Sequence, residues 1–284
     1  MIPNTFCHIP GIGARSEQKL WDDGIRTWDD YLEMGDALNP GKKGREITEH
    51  LYRSQQALED FDIGFFAGSI PGGEEWRLFP EFRSRTAYLD IETTGLSVDM
   101  GSAITTIALY DGEEIRHYVN GENLRDFKDD INGFDLLVTY NGKCFDLPFI
   151  ERYFMISLPQ AHIDLRYLLR SLGYGGGLKG CERQLGIDRG ELDGVDGYFA
   201  VLLWHEYRNN ANPMALETLL AYNIQDTVNL ERLLVMAYNM KIEDTPFGAS
   251  NRIRSPREPG NPFRADPVTI EELRRRHYPG VMAW

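Results

Sequence analysis

The chain is poor in cysteine and in basic charge, and it has no long apolar run. Its three cysteines, Cys7, Cys144 and Cys181, stand far apart. That spacing excludes a disulfide framework and a thiolate zinc site, and it predicts a reducing, cytoplasmic setting. No stretch approaches the roughly 20 apolar residues that a membrane-crossing helix needs. Met1-Ile2-Pro3-Asn4 has no basic flank leading into an apolar segment, so no secretory signal is expected. No internal repeat is visible. Lysine and arginine number 30 against 44 aspartates and glutamates, a net charge of −14 at pH 7. Such a balance argues against broad nucleic-acid binding, which leaves a basic footprint.

The acidic excess is uneven. Residues 1–60 carry 7 basic and 11 acidic groups, residues 61–240 carry 15 and 27, and residues 241–284 carry 8 and 6. Acid therefore collects in the middle of the chain, where a metal site would need carboxylates. In other respects the 284 residues are ordinary, with 42% hydrophobic and 26% charged side chains. That is enough for one large domain and a smaller unit.

The segment 1–60 reads as a small helical unit. Ile9-Pro10-Gly11-Ile12-Gly13 forms a turn, a helix runs from Ser16 to Asp23, and Gly24 ends it. Thr27 is placed to cap a second helix from Trp28 to Glu33. The Pro-Gly-Ile-Gly text resembles a helix-hairpin-helix motif, in which the backbone N–H groups of Gly11 and Gly13 would meet a phosphate. A helical hairpin that packs on the rest of the chain explains the same glycines. Residues 61–85 read as a connector, with a turn at Pro71-Gly72-Gly73.

From residue 86 the period becomes that of strands. Thr86–Glu92, Ala103–Tyr110, Glu114–Asn120, Phe134–Tyr140 and a short segment around Ala161–Leu165 give five candidates. Asp111-Gly112 marks a hairpin between the second and third. A short polar helix is expected over Glu122–Asp130, and others near Asp146, Leu165–Ser171, Leu178–Leu185 and Tyr198–Tyr207. Asn212-Pro213 opens a long helix to about Met240. The segment 241–284, with five prolines before Val268, reads as an extended tail with a short helix at Val268–Arg276.

Three acidic motifs sit on this framework. In Ala87-Tyr88-Leu89-Asp90-Ile91-Glu92 alternation along a strand puts Asp90 and Glu92 on one face. Two like charges there repel, and a divalent cation with hard oxygen ligands would make the arrangement favourable. Asp146 lies in Tyr140-Asn141-Gly142-Lys143-Cys144-Phe145-Asp146-Leu147-Pro148-Phe149-Ile150, where a strand gives way to a helix; an ordinary helix cap explains it equally. Tyr222 and Asp226 are four residues apart and share a helix face. His162 reads as structural, and Asp164 as a helix cap.

In order and spacing the motifs resemble the DEDD superfamily of 3′–5′ exonucleases. A tyrosine four residues before the last aspartate matches its DEDDy branch; the DEDDh branch has histidine where this chain has Ala221. Tyr-Asn-Gly-Lys-x-Phe-Asp-x-Pro-Phe-Ile is also similar to the proofreading domain of family B DNA polymerases. It is closer still to ribonuclease H-like proteins of the YprB type. The resemblance covers residues 86–240. It implies an α/β fold, a ribonuclease H-like mixed five-stranded sheet flanked by helices. It further implies two Mg²⁺ or Mn²⁺ ions, held by Asp90, Glu92, Asp146 and Asp226, with Tyr222 orienting or helping to deprotonate the attacking water. Asn141 would position the terminal nucleotide of a single-stranded DNA or RNA 3′ end, and Leu96 and Phe145 would pack on a base. The rival expectations are an endonuclease or ribonuclease on the same fold, and a non-catalytic adaptor.

Overall fold

The computed structural model describes residues 1–34 and 41–278, so the end of the expected tail lies outside the described residues. The apolar, β-branched runs become five strands: β1 (Thr86–Thr93), β2 (Ile104–Tyr110), β3 (Ile115–Val119), β4 (Leu136–Thr139) and β5 (Ala161–Asp164). They form one mixed sheet in the order β3-β2-β1-β4-β5. The β1–β2 and β2–β3 pairs are antiparallel, and β1–β4 and β4–β5 are parallel. At the β2–β3 turn, the Asp111 carboxylate accepts the N–H groups of Glu113 (3.0 Å) and Glu114 (2.7 Å). Gly112 there takes φ +96°, which suits glycine.

Among the described residues twelve α-helices accompany the sheet. Five precede it: α1 (Ala14–Asp22), α2 (Trp28–Met34), α3 (Lys42–Glu59), α4 (Ile63–Ala67) and α5 (Phe79–Phe82). Within and after it come α6 (Phe127–Asp130), α7 (Asp146–Phe154), α8 (Leu165–Ser171), α9 (Gly177–Gln184), α10 (Gly197–Asn210), α11 (Pro213–Glu243) and α12 (Pro267–His277). The expected helix over Glu122–Asp130 shrinks to α6. Its first turns are lost because Asn123 bonds the backbone instead, accepting from Val119 N–H and donating to the His117 carbonyl. Such local side-chain bonds compete with a helix.

The two sheet faces are covered differently. Ala87, Leu89, Ile91, Ile107, Leu109 and Leu137 pack toward α6 and α7. Tyr88, Ala108, Tyr110, Leu136 and Val138 share a core with α11 and with the helices before β1. The 31-residue α11 is about 46 Å long at 1.5 Å per residue and crosses β1 and β2. Its N-cap is Asn212, whose side chain accepts the Met214 N–H (3.0 Å), with Pro213 at the first position.

A buried ion pair ties α1 to the segment before β1. Arg77 Nη1 donates to both Glu17 oxygens at 2.9 Å, and Glu17 Oε1 also accepts from the Phe6 and Cys7 N–H groups. Thr27 caps α2 as expected, accepting the Asp30 N–H at 3.0 Å. Beyond α11 the chain runs back along it, held by Asn239 and Ile253, which exchange two hydrogen bonds.

His8 packs against Trp28, His50 and Phe66 and is 2% exposed. Burial is the main cause that lowers its pKa to about 3, and neighbouring His50 lowers it further. Because the unfolded chain takes up this proton near pH 6.5, stability should fall as pH drops from 6.5 toward 3. The loss attributable to His8 should reach a few kcal/mol, at about 1.4 kcal/mol for each tenfold change in proton affinity. Acid melts of the wild type and of His8→Phe should therefore diverge across that window, the variant losing less; parallel curves would refute the assignment.

Candidate metal centre

Alternation along β1 sends Leu89 and Ile91 into the α6–α7 core and turns Asp90 and Glu92 toward α11. On α11, Tyr222, Asn223 and Asp226 fall on the side that meets β1, and all three are buried. Asn223 fastens helix to strand: its Nδ2 donates to Asp90 Oδ2 at 2.7 Å and to the Asp90 carbonyl at 3.2 Å. One carboxylate oxygen each from Asp90, Glu92 and Asp226 lies within 4.8 Å of the others.

This convergence is electrostatically adverse without a counter-ion. The Asp90 carboxyl is held well above the usual range by burial first, then by repulsion from Glu92, Asp146 and Asp226. Glu92 is raised likewise by burial and by Asp226, against the opposing pull of Lys179. Three hard oxygen donors crowded in this way fit a Mg²⁺ or Mn²⁺ ion, whose charge would offset both penalties. Sulfur and imidazole ligands, which softer metals prefer, are not part of the group.

Asp146 reaches the centre from the other side of β1. It is the first residue of α7, and Phe145 is the N-cap, so capping does not explain it. Its Oδ1 accepts the Ile91 N–H at 3.3 Å, between Asp90 and Glu92. Burial pushes its carboxyl up to about 7, although the Ile91 N–H and its own pull it down. It is not one of the three carboxylates within 4.8 Å of one another.

The loop that delivers Asp146 is braced from β5. Asp164 accepts the N–H groups of Asn141 (2.8 Å), Lys143 (3.0 Å) and Arg166 (3.0 Å), which is its expected capping role and two bonds more. Asn141 takes φ +68°, and its side chain accepts from Arg166. His162 bonds Thr139 Oγ1 at 2.9 Å, a structural role as expected. A Cβ on Gly142 would lie 2.1 Å from Thr139 Oγ1 and 2.6 Å from its Cβ. Gly142→Ala must therefore shift the loop or β4. It is expected to destabilise the fold by about 1–3 kcal/mol, as overpacked sites do; a melt matching wild type would contradict this.

The other sequence-derived candidates are not members of the acidic group. Leu96 follows β1 and is 85% exposed. Phe145 is half-buried and packs against Phe149 with tilted rings, 5.7 Å between centroids. Gly13 is the N-cap of α1, and Gly11, with φ +82°, borders a cavity of about 360 Å³ with Lys19 and Lys43.

Four residues at or beside the centre escaped the sequence: Lys179, Arg189, its partner Glu182, and Asn223. Lys179 Nζ donates to the Tyr222 hydroxyl at 3.0 Å, sits 4.6 Å from its ring centroid, and also reaches the Val195 carbonyl. Arg189 pairs with Asp226 and, at 2.7 Å, with Glu182. Asn223 is the fourth; a polar residue inside the apolar run Leu219–Ile224 was its one visible signal. Lysine and arginine on a polar, glycine-flanked segment carry none. Burial, then Asp226, Glu92 and Asp90, hold the Tyr222 phenol well above its ordinary value, so without a bound cation it stays protonated.

A mixed five-stranded sheet, flanked by helices and carrying acids on its first strand and last long helix, defines a ribonuclease H-like α/β protein. The family model RNase_H_2, described as the RNase_H superfamily, matches residues 87–238, and the chain belongs to that superfamily. No curated protein matches. Among solved structures, the family B DNA polymerase from the hyperthermophilic archaeon Pyrobaculum calidifontis is similar at 16% identity and a TM-score of 0.43. The similarity covers 56% of this chain and 24% of that one, so the chain spans under a quarter of the polymerase's length. Among the described residues no helix is long and apolar enough to cross a membrane.

Proposed function

We propose that this protein is a metal-dependent nuclease that removes nucleotides from single-stranded 3′ ends. The observation that carries the reading is the convergence of Asp90, Glu92 and Asp226 from β1 and α11. Two divalent ions, when bound, would hold the attacking and leaving oxygens and offset the charge that builds on the phosphate. Asp90 would be shared between them, with Glu92 and Asp226 completing one site and Asp146 the other. The hydrogen bond from the Ile91 N–H to Asp146, between the two β1 acids, supports that reading.

Tyr222 supports an orienting role and not a basic one. Its oxygen already accepts from Lys179, so its own O–H is the group available to a water or phosphate oxygen. Asn141, Leu96 and Phe145 flank the same end of β1 and β4 and would meet the terminal nucleotide. Gly11 and Gly13 would offer a separate phosphate contact.

The test is incubation of the full chain with matched 5′-labelled DNA and RNA strands and Mn²⁺. A ladder that shortens from the 3′ end is expected. Discrete internal cuts would move the assignment to an endonuclease, and binding without cleavage would overturn it in favour of an adaptor.

A further inference from the structure

Arg189 stands out among the charged groups that the proposed reaction does not employ. Its side chain is 5% exposed, and that of Glu182 is fully buried. Nη1 donates to Glu182 Oε2, and Nη2 pairs with Asp226 Oδ1. Glu182 is itself fixed, because its Oε1 accepts from Asn229 Nδ2 at 2.6 Å. Asn229 lies three residues beyond Asp226 on α11 and is bonded in turn by Gln225 at 3.1 Å. A closed ring results: α11 to α9, α9 to the turn after it, and that turn back to α11.

Burying two carboxylates and a guanidinium carries a desolvation penalty that ion pairing seldom turns into net stability. Packing alone therefore gives little reason for the ring, and its position beside the three acids gives a better one. The guanidinium carbon also lies 5.5 Å from the Tyr222 ring centroid. Arg189 engages one oxygen of Asp226, whereas a carboxylate offers two. A planar guanidinium held at both ends restricts rotation of that carboxylate in a way a point charge cannot.

We propose that Arg189 is a positioning residue: braced by Glu182, it fixes the Asp226 carboxylate in the orientation that faces Asp90 and Glu92. The inference rests on reading those three acids as a cation site. It assigns the turn after α9 a part in metal affinity, as outer partners of metal ligands commonly have.

Calorimetric titration of the full chain with Mn²⁺ tests it, comparing wild type with Arg189→Lys, which keeps the charge but lacks the planar fork that fixes the carboxylate's orientation. The variant should bind Mn²⁺ about 10–100-fold more weakly, and its turnover should recover toward wild type as Mn²⁺ is raised to saturation. Glu182→Gln removes the brace's charge while leaving Arg189 on Asp226, and it should weaken binding in the same direction. If Arg189→Lys does not fold, this second variant decides. Unchanged or tighter Mn²⁺ binding would overturn the proposal, tighter binding meaning that the guanidinium competes with the cation. Absence of Mn²⁺ binding in wild type would instead sink the underlying cation site, and the proposal with it.

Discussion

Asp90→Asn is expected to abolish cleavage while making the cation-free protein harder to melt. The amide keeps the shape of the side chain and can still accept from Asn223, so the fastening of β1 to α11 survives. What it removes is the charge that would bridge two cations. A loss of at least about 10³ in rate is expected, roughly 4 kcal/mol of transition-state stabilisation. The stability effect has the opposite sign. The Asp90 carboxyl is raised by burial and by Glu92, Asp146 and Asp226, so the folded state holds its proton more tightly than the unfolded one. Stability linked to this group is then present at low pH and is lost as pH rises above about 4, the unfolded value. At neutral pH in EDTA the variant should melt a few °C higher than wild type, since about 1 kcal/mol moves a melting point by several degrees. Added Mn²⁺ should reverse the order. Full cleavage by Asp90→Asn would remove the metal-site argument.

Tyr222→Phe is expected to slow turnover by about 10², the scale of a lost positioned hydrogen-bonding or proton-transfer group, and to leave Mn²⁺ affinity unchanged. Only the hydroxyl is deleted. The ring stays buried, and the Lys179 ammonium keeps both its place over that ring and its bond to the Val195 carbonyl. Because the phenol is held well above its ordinary value, it should not titrate below pH 10 in the absence of a cation. In a cation-free titration followed by tyrosinate absorbance, wild type should accordingly show no phenolate step in that range that Tyr222→Phe removes. Unchanged turnover, or loss of Mn²⁺ binding, would reject the orienting role.

Much of this arrangement was legible in the sequence because local rules determine it. Strand periodicity placed the first three strands and short apolar runs the other two, with ends one or two residues off at most, and Asn212-Pro213 opened the long helix where capping chemistry requires. Asp90 and Glu92 share a face for the same reason. Asn123 was harder, since its backbone bonds to Val119 and His117 depend on the chain doubling back after β3. The cationic partners were illegible in principle. Lys179 and Arg189 acquire their roles only when α9 and the turn after it are folded against α11, and neither hydrophobic period nor turn chemistry records that approach.

The ladder between β1 and β4 ends early. Only Thr86, Ala87 and Tyr88 have partners on β4, whereas β1 itself continues to Thr93. The amide of Ile91, which a longer neighbour would have claimed, is given to Asp146. Sheet completion and acid delivery thus compete for one backbone proton. Two residues inserted after Thr139 in β-forming sequence would zip the notch shut and evict the carboxylate, without altering a single acidic side chain.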